Sequence, residues 1–295
     1  MIQIFTPEDS SEIVNAISKA NIDCFCLNKD QDLHVNGEFI LHHRPRKLDQ
    51  HVKNILIDAI AKGAKVMPFV DYLDKINGYT EIALLNSDYF IQKTDFSVLR
   101  SRKKVMIKSL MDKVISVLLL VVTSPIMLIT ALLIRLESRG GLFYKQERIG
   151  QFNKPFMVYK FRSMRLDAEA DGAQWSKKGD SRITKVGRII RKLRVDELPQ
   201  LINVLKGEMS VVGPRPEREV FINELEKEIP YYRFRHAVLP GVTGWAQVKY
   251  PYGASIEDSK WKHKYDLYYI KHGGLRIDLK ILLYTVKVVL LGKGQ

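Results

Sequence analysis

The chain has 295 residues, 46% of them hydrophobic, and a formal net charge of +14. This content excludes a disordered polyelectrolyte, because it supplies enough apolar surface for one large domain or two ordinary ones. The positive excess calls for an anionic partner: a nucleic acid, a membrane surface or a phosphorylated substrate.

The opening "MIQIFTPEDSSE" lacks the basic start and apolar run of a secretory signal, so the N-terminus is expected to stay in the cytoplasm. Residues 1–95 alternate short β-rich runs with helical patterns, which predicts a small α/β domain. "MIQIFT" reads as a strand, "PEDSSEIVNAISKAN" as a helix capped by Asp9 or Ser10, and "IDCFCLN" as a second strand. Cys24 and Cys26 stand in a C-x-C spacing that suits neither a redox pair nor a zinc site, and they read as small residues on one strand face. "DQHVKNILIDAIAKGA" is a clear helix, with Val52, Ile55, Leu56, Ala59 and Ile60 on one stripe and Gly63 at its end; "KVMPFV" follows as a strand. No G-x-G-x-x-G and no Walker loop occurs here, so a structural or regulatory role is expected.

Residues 96–112 form a basic linker or interfacial helix, "RSRKKVMIK", leading into the apolar run 114–134. A helix of that length rises about 1.5 Å per residue and would just cross a bilayer core of about 30 Å. Two features predict instead a re-entrant helix. Ser124-Pro125 lies at the centre, where proline removes a hydrogen bond and the serine hydroxyl satisfies the freed group. Basic residues flank both ends, Lys103, Lys104, Lys108 and Lys113 before it and Arg135 and Arg139 after it, which suits a helix that kinks and returns to one face.

"GLFYKQERIGQFNKPFMVYKFRSM" predicts a β-hairpin with Phe156, Val158, Lys160 and Arg162 on one face. "RITKVGRIIRKLR" reads as a basic helix, and "DELPQLINVLK" as a second one that stops at Gly207. "LKILLYTVKVVLL", with Lys280 and Lys287 inserted, fits either an interfacial helix on lipid or a core helix.

Asp196 and Glu197 open the second of these helices. With Asp196 as N-cap, Pro199 falls at the third position, where its missing N–H breaks no bond. Adjacent helical residues point about 100° apart, so the two acids are expected to do different jobs. Asp196 fits a nucleophile on a phosphoryl group and Glu197 a Mg2+ ligand, with Arg215, Lys160 and Arg162 clamping phosphates. Arg215 stands between two prolines and is presented from a stiff turn.

"KFRSM", "DELPQLINVLKGEMSVVGPRP", "PGVTGWAQV" and "YDLYYIKH", after an apolar helix with a central Ser-Pro, together resemble the bacterial sugar transferases, also called monotopic phosphoglycosyl transferases. The resemblance covers roughly residues 105–295, and the stretch from "PYGASIEDSK" onward is most similar to the exopolysaccharide branch. It implies transfer of a sugar 1-phosphate from a UDP-sugar to a polyprenyl phosphate, normally undecaprenyl phosphate. A covalent aspartyl intermediate with Mg2+ is part of that implication, as is a place on the cytoplasmic face of the bacterial inner membrane. On the matching motifs, Asp196 is the nucleophile, Glu197 the metal-binding neighbour, Arg215 a donor-phosphate or uridine contact, and Lys160 and Arg162 the nearby basic motif. Arg148 in "QERIG" and Gln200 in "DELPQ" lie in matching stretches as substrate-binding residues, and Ser124 and Pro125 match the kink.

The fold so implied is a truncated Rossmann-like α/β domain over 1–95 followed by an α+β monotopic catalytic domain over 113–295. Long members of the family place four transmembrane helices before the Rossmann-like domain; this sequence shows no such helices. The expected partners are the UDP-sugar, the polyprenyl phosphate and an anionic membrane, with no nucleic acid and with a homodimer left open. A membrane scaffold or regulator of glycan assembly with an inactive acid pair is the alternative.

Overall fold

The computed structural model describes residues 2–7, 11–20, 22, 25–27, 39–92, 102–169, 172, 174, 179–251, 253 and 255–290. The chain divides into two compact units, Met1–Lys93 and Thr94–Gln295.

In the first unit β1 (Ile2–Phe5), α1 (Ser11–Lys19), β2 (Phe25–Leu27) and β3 (Phe39–His42) precede α2 (Gln50–Ala61), β4 (Lys65–Pro68), α3 (Phe69–Asn77) and α4 (Ser87–Gln92). The four strands are parallel, in the order β2-β1-β3-β4, which gives the unit its α/β character. Asp49 starts α2 by accepting from the Val52 amide at 2.8 Å, and Leu56 and Ala59 carry its stripe into the core. The strand expected over "KVMPFV" stops at Pro68. Proline cannot donate to the ladder, and Phe69 and Val70 turn inward as the first residues of α3. β3 was not singled out by pattern. Asp9, Ser10 and Cys24 lie outside the described residues, and Cys26 lies in β2.

The second unit opens with α5 (Arg102–Glu137), a continuous helix of 36 residues, about 54 Å long at about 1.5 Å per residue. The basic stretch from Arg102 therefore belongs to the same helix as the apolar run. Nothing between Arg102 and Ser124 breaks a helix, since neither glycine nor proline occurs there. Helical hydrogen bonding continues on both sides of Pro125. Pro125 has no N–H to offer the Val121 carbonyl, and the Ser124 hydroxyl donates to that oxygen at 2.8 Å.

Both ends of α5 dock on the second unit. Near its start Asp112 accepts from the Ser210 hydroxyl, and Lys108 pairs with Asp278. Near its end Ile134 packs with Phe161 and Ile190, and Glu137 accepts from the Val186 amide. Between these anchors the outward face is bare and apolar, with Val122 and Leu128 each 72% exposed.

β5 (Phe143–Ile149) and β6 (Pro155–Phe161) form the expected antiparallel hairpin, pairing Tyr144 with Lys160. Then come α6 (Lys185–Lys192), capped by Thr184, α7 (Gln200–Lys206), β7 (Ser210–Val212) and α8 (Glu219–Glu228). β8 (Gly241–Thr243), α9 (Trp245–Lys249), α10 (Ile256–His272) and α11 (Leu275–Leu290) complete the unit. Val158, Val204, Met209, Val212, Trp245 and Tyr269 share one core beneath β7 and α7. α11 has one face in the core, and the interfacial role left open for the other stays an expectation. Ile281 is fully buried in that core, while Leu279, Leu283 and Val286 stay exposed on the opposite face.

Candidate active site

The acid pair sits in a 3-10 turn, Val195–Glu197, one turn ahead of the place expected for it. α7 begins only at Gln200, with Pro199 in the capping position, so Asp196 is not the helix N-cap. Tight i→i+3 hydrogen bonds fill the interval, from Glu197 N to Arg194 O and from Leu198 N to Val195 O. Arg194 enters the turn in the left-handed region, φ 58°, a conformation that side-chain-bearing residues adopt at a cost of about 1–2 kcal/mol. Both acids are buried, Asp196 with 7% and Glu197 with 5% of its surface exposed.

Their environments differ sharply. Glu197 meets Arg215 through two hydrogen bonds, 2.5 Å to Oε1 and 3.3 Å to Oε2. Lys160 donates to its Oε1 at 3.0 Å and Arg194 to its Oε2 at 3.4 Å. Asp196 Oδ1 is buried and has no hydrogen-bond partner among the described residues. Burial would raise the Glu197 carboxyl, but Arg215, Lys160 and Arg194 hold it well below the usual carboxylate range. Burial and the adjacent Glu197 charge push Asp196 the other way, up to about 6, against the pull of Lys160, Arg191 and Arg194. Two neighbouring carboxylates driven apart in this way are suited to separate chemical roles. Asp196 is still largely ionised at neutral pH, and its bare oxygen is a candidate nucleophile.

The other candidates divide. Lys160 and Arg215, expected as phosphate clamps beside the acid pair, both donate to Glu197. Arg148 stands one residue layer out, donating to Glu217 Oε2 at 3.2 Å and to Gln146 Oε1 at 2.6 Å. Gln200 is buried at the first residue of α7. Arg162 is the correction. It shares a face with Lys160, yet its guanidinium donates to the Ser138 and Arg139 carbonyls and to the Ser138 hydroxyl, each at 2.9 Å. Those carbonyls lie just past the end of α5, so in this structure Arg162 braces the chain leaving that helix and makes no hydrogen bond to the acid pair. The strand ends at Phe161, and the chain beyond it runs beside the helix terminus.

Arg194 joins the site although sequence reasoning did not single it out; its place two residues before the acid pair was the available signal. The Pro-Arg-Pro loop is set by close backbone packing between β7 and β8. Gly241 N donates to Pro214 O at 2.9 Å, and a Cβ on Gly241 would lie 2.1 Å from Gly213 N, so only glycine allows the approach. This is why "VGPRP" and "PGVTG" occur together.

Mg2+ characteristically takes one or two carboxylates and completes its shell with phosphate oxygens and water. Asp196 and Glu197 supply such hard donors, and the unpartnered Asp196 oxygen fits this chemistry. Among the described residues no group of three His, Cys, Asp or Glu side chains forms a larger metal cage.

Comparison with known proteins places this geometry. The family model described as bacterial sugar transferase matches residues 103–292. A UDP-N-acetylgalactosamine-undecaprenyl-phosphate N-acetylgalactosaminephosphotransferase of Aeromonas hydrophila is 48% identical over 198 residues, 67% of this chain and 47% of that protein. A UDP-glucose:undecaprenyl-phosphate glucose-1-phosphate transferase of Xanthomonas campestris pv. campestris is 37% identical over 245 residues, 81% of this chain and 50% of that protein. The uncharacterized sugar transferase EpsL of Bacillus subtilis (strain 168) is 41% identical over 188 residues, 64% of this chain and 89% of that protein. The chain thus spans about half the length of the first two relatives. The matched region takes in α5, the acid pair and the Pro-Arg-Pro loop, and the chain belongs to the bacterial sugar transferase family.

Proposed function

We propose that this chain transfers a sugar 1-phosphate from a UDP-sugar to polyprenyl phosphate, normally undecaprenyl phosphate, releasing UMP. The relatives named above as sugar phosphotransferases support the reaction class. The observation that carries the mechanism is the asymmetry of the acid pair: a bare buried Asp196 oxygen beside a fully engaged Glu197.

In the first step an Asp196 oxygen attacks the phosphorus that bears the sugar. The phosphoanhydride bond to UMP breaks, and UMP leaves with the electron pair. A phosphate oxygen of the lipid then attacks the same phosphorus, the aspartyl bond breaks, and Asp196 is regenerated as carboxylate. Arg215 and Lys160 offset the negative charge that would otherwise repel the nucleophile. Glu197 fixes both cations beside Asp196. Mg2+ would be held by the acid pair and would supply further charge neutralisation when bound. Glu197 would then exchange part of its contact with Arg215, Lys160 and Arg194 for the ion.

The docking of both α5 ends on one folded unit supports a re-entrant helix. A straight crossing would need that unit on both sides of the bilayer at once. The bare apolar middle then enters the lipid, and the basic ends stay at the anionic surface, on the cytoplasmic face where the UDP-sugar is found. The parallel sheet of the first unit is read as a truncated Rossmann-like domain outside the chemistry, and the product as the first intermediate of exopolysaccharide or another surface glycan. A panel of UDP-sugars, each incubated with purified protein, Mg2+ and undecaprenyl phosphate, tests the reading. UMP release is expected with at least one sugar and only with intact Asp196. Folded protein that releases UMP from none supports the scaffold alternative.

A further inference from the structure

Arg215 directs two nitrogens at Glu197, which requires its main chain to be fixed as well as its side chain. Its flanking prolines restrict the turn but leave the two peptide planes around Arg215 free to rotate. Both planes are pinned. The Pro214 carbonyl accepts from Gly241 N at 2.9 Å, and the Arg215 carbonyl accepts from Arg235 Nη2 at 2.9 Å. Arg235 is buried, and its guanidinium is oriented by two further partners. Nη2 also donates to Asp266 Oδ2 at 2.8 Å, and Nη1 donates to the Tyr232 hydroxyl at 2.6 Å. All three residues are nearly sealed from solvent, Asp266 with 1% of its surface exposed.

A buried ion pair of this kind is a weak source of stability, since apolar residues of similar size often serve as well. Its geometry suits a different purpose. We infer that Arg235, oriented by Asp266 and Tyr232, is a positioning residue that locks the Arg215 main chain, so that the clamp meets Glu197 and the donor phosphates without rearrangement. This rests on the reading of Arg215 as a phosphate clamp. Arg235 has no role in contacting substrate; it acts through Arg215. A lysine at this position would pair with Asp266 but lacks the planar fork that reaches the carbonyl as well.

The test uses the full chain carrying Arg235→Met together with Asp266→Leu, an apolar replacement of the pair. Hydrogen–deuterium exchange is read without substrate. Exchange across residues 213–218 should rise at least about tenfold while α8 stays protected. The rate of UMP release should fall roughly ten- to a hundredfold, the scale expected for a misplaced clamp. In an Arg215→Ala background the same pair replacement should change the rate by less than about twofold, because the residue it acts through is already gone. Unchanged exchange over 213–218 would overturn the brace, as would losses that multiply in the Arg215→Ala background. If the double replacement does not fold, Arg235→Lys is read in the same ways. Raised exchange in a protein whose wild-type form releases no UMP from any UDP-sugar would leave the brace standing and remove the proposed function instead.

Discussion

Two of the buried charge clusters in the second unit follow opposite rules. In the one that anchors α5, every carboxylate oxygen is answered. Asp112 accepts from the Ser210 hydroxyl and the Val211 amide, and Asp278 accepts from Tyr269 and Lys108. In the acid turn Glu197 is answered by three cations, while Asp196 Oδ1 is left with none of the partners that burial normally demands. Among the described carboxylates of this unit, Asp196 alone has a buried oxygen without a hydrogen bond. The contrast between an answered cluster and a bare acid is what the proposed role of Asp196 as nucleophile would require.

Asp196→Asn should show the largest effect and break the comparison most visibly. UMP release should fall by at least about a thousandfold, as expected when a covalent nucleophile is removed. Stability should move the other way. The folded-state pKa of Asp196 is raised from 3.8 to about 6, so its stability contribution is full below the unfolded value and is lost as pH rises through about 6. At pH 7.5 the asparagine avoids that loss, and chemical denaturation should show a gain of up to about 3 kcal/mol. In the wild-type enzyme, activity should rise as pH increases from about 5 to 7, when Asp196 sheds its proton.

Glu197→Gln should lower both rate and stability. The folded pKa of Glu197 is depressed below 4.5, so its contribution is present above that value and lost on acidification. Removing the charge leaves half-buried Arg215 and Lys160 without their counter-ion, a loss of about 1–3 kcal/mol in urea unfolding. Mg2+ dependence of the rate should weaken in the same variant.

Asp112→Asn sharpens the contrast from the other cluster. It should cost about 1–3 kcal/mol of stability through the lost partners of Ser210 and Lys108, while the rate per folded molecule stays within a few-fold of wild type. Arg162→Lys should have the smallest effect, about 1 kcal/mol in unfolding, from poorer capping of the carbonyls beyond α5. A phosphate-clamp role would instead raise the KM for the UDP-sugar.

Much of this was legible in the sequence where local chemistry decides. The hairpin, the end of α2 and the pairing of Ser124 with Pro125 follow from periodicity and the hydrogen-bond rules of proline. The α2 stripe holds at Leu56 and Ala59 but not at Ile60, which is exposed. The acid pair and Arg215 were legible too, because the motif around them is long. What failed was non-local. Lys160 and Arg162 alternate onto one face, but which cation meets Glu197 depends on the chain just past α5, 23 and 24 positions before Arg162. The N-cap assignment of Asp196 failed because a 3-10 turn and a helix start share the same residue preferences. Asp266 lies within the motif "YDLYYIKH", but its pairing with Arg235 spans 31 positions and left no local signal.

The central claim is that the bare carboxylate of Asp196 forms a bond to phosphorus. Its most direct test is exchange of labelled UMP into the UDP-sugar by purified, lipid-free protein with Mg2+ and no acceptor. A covalent intermediate makes the first step reversible by itself, so wild-type protein should exchange the label and Asp196→Asn should not. Absence of exchange in wild-type protein that still transfers to lipid, or exchange retained by Asp196→Asn, would contradict it.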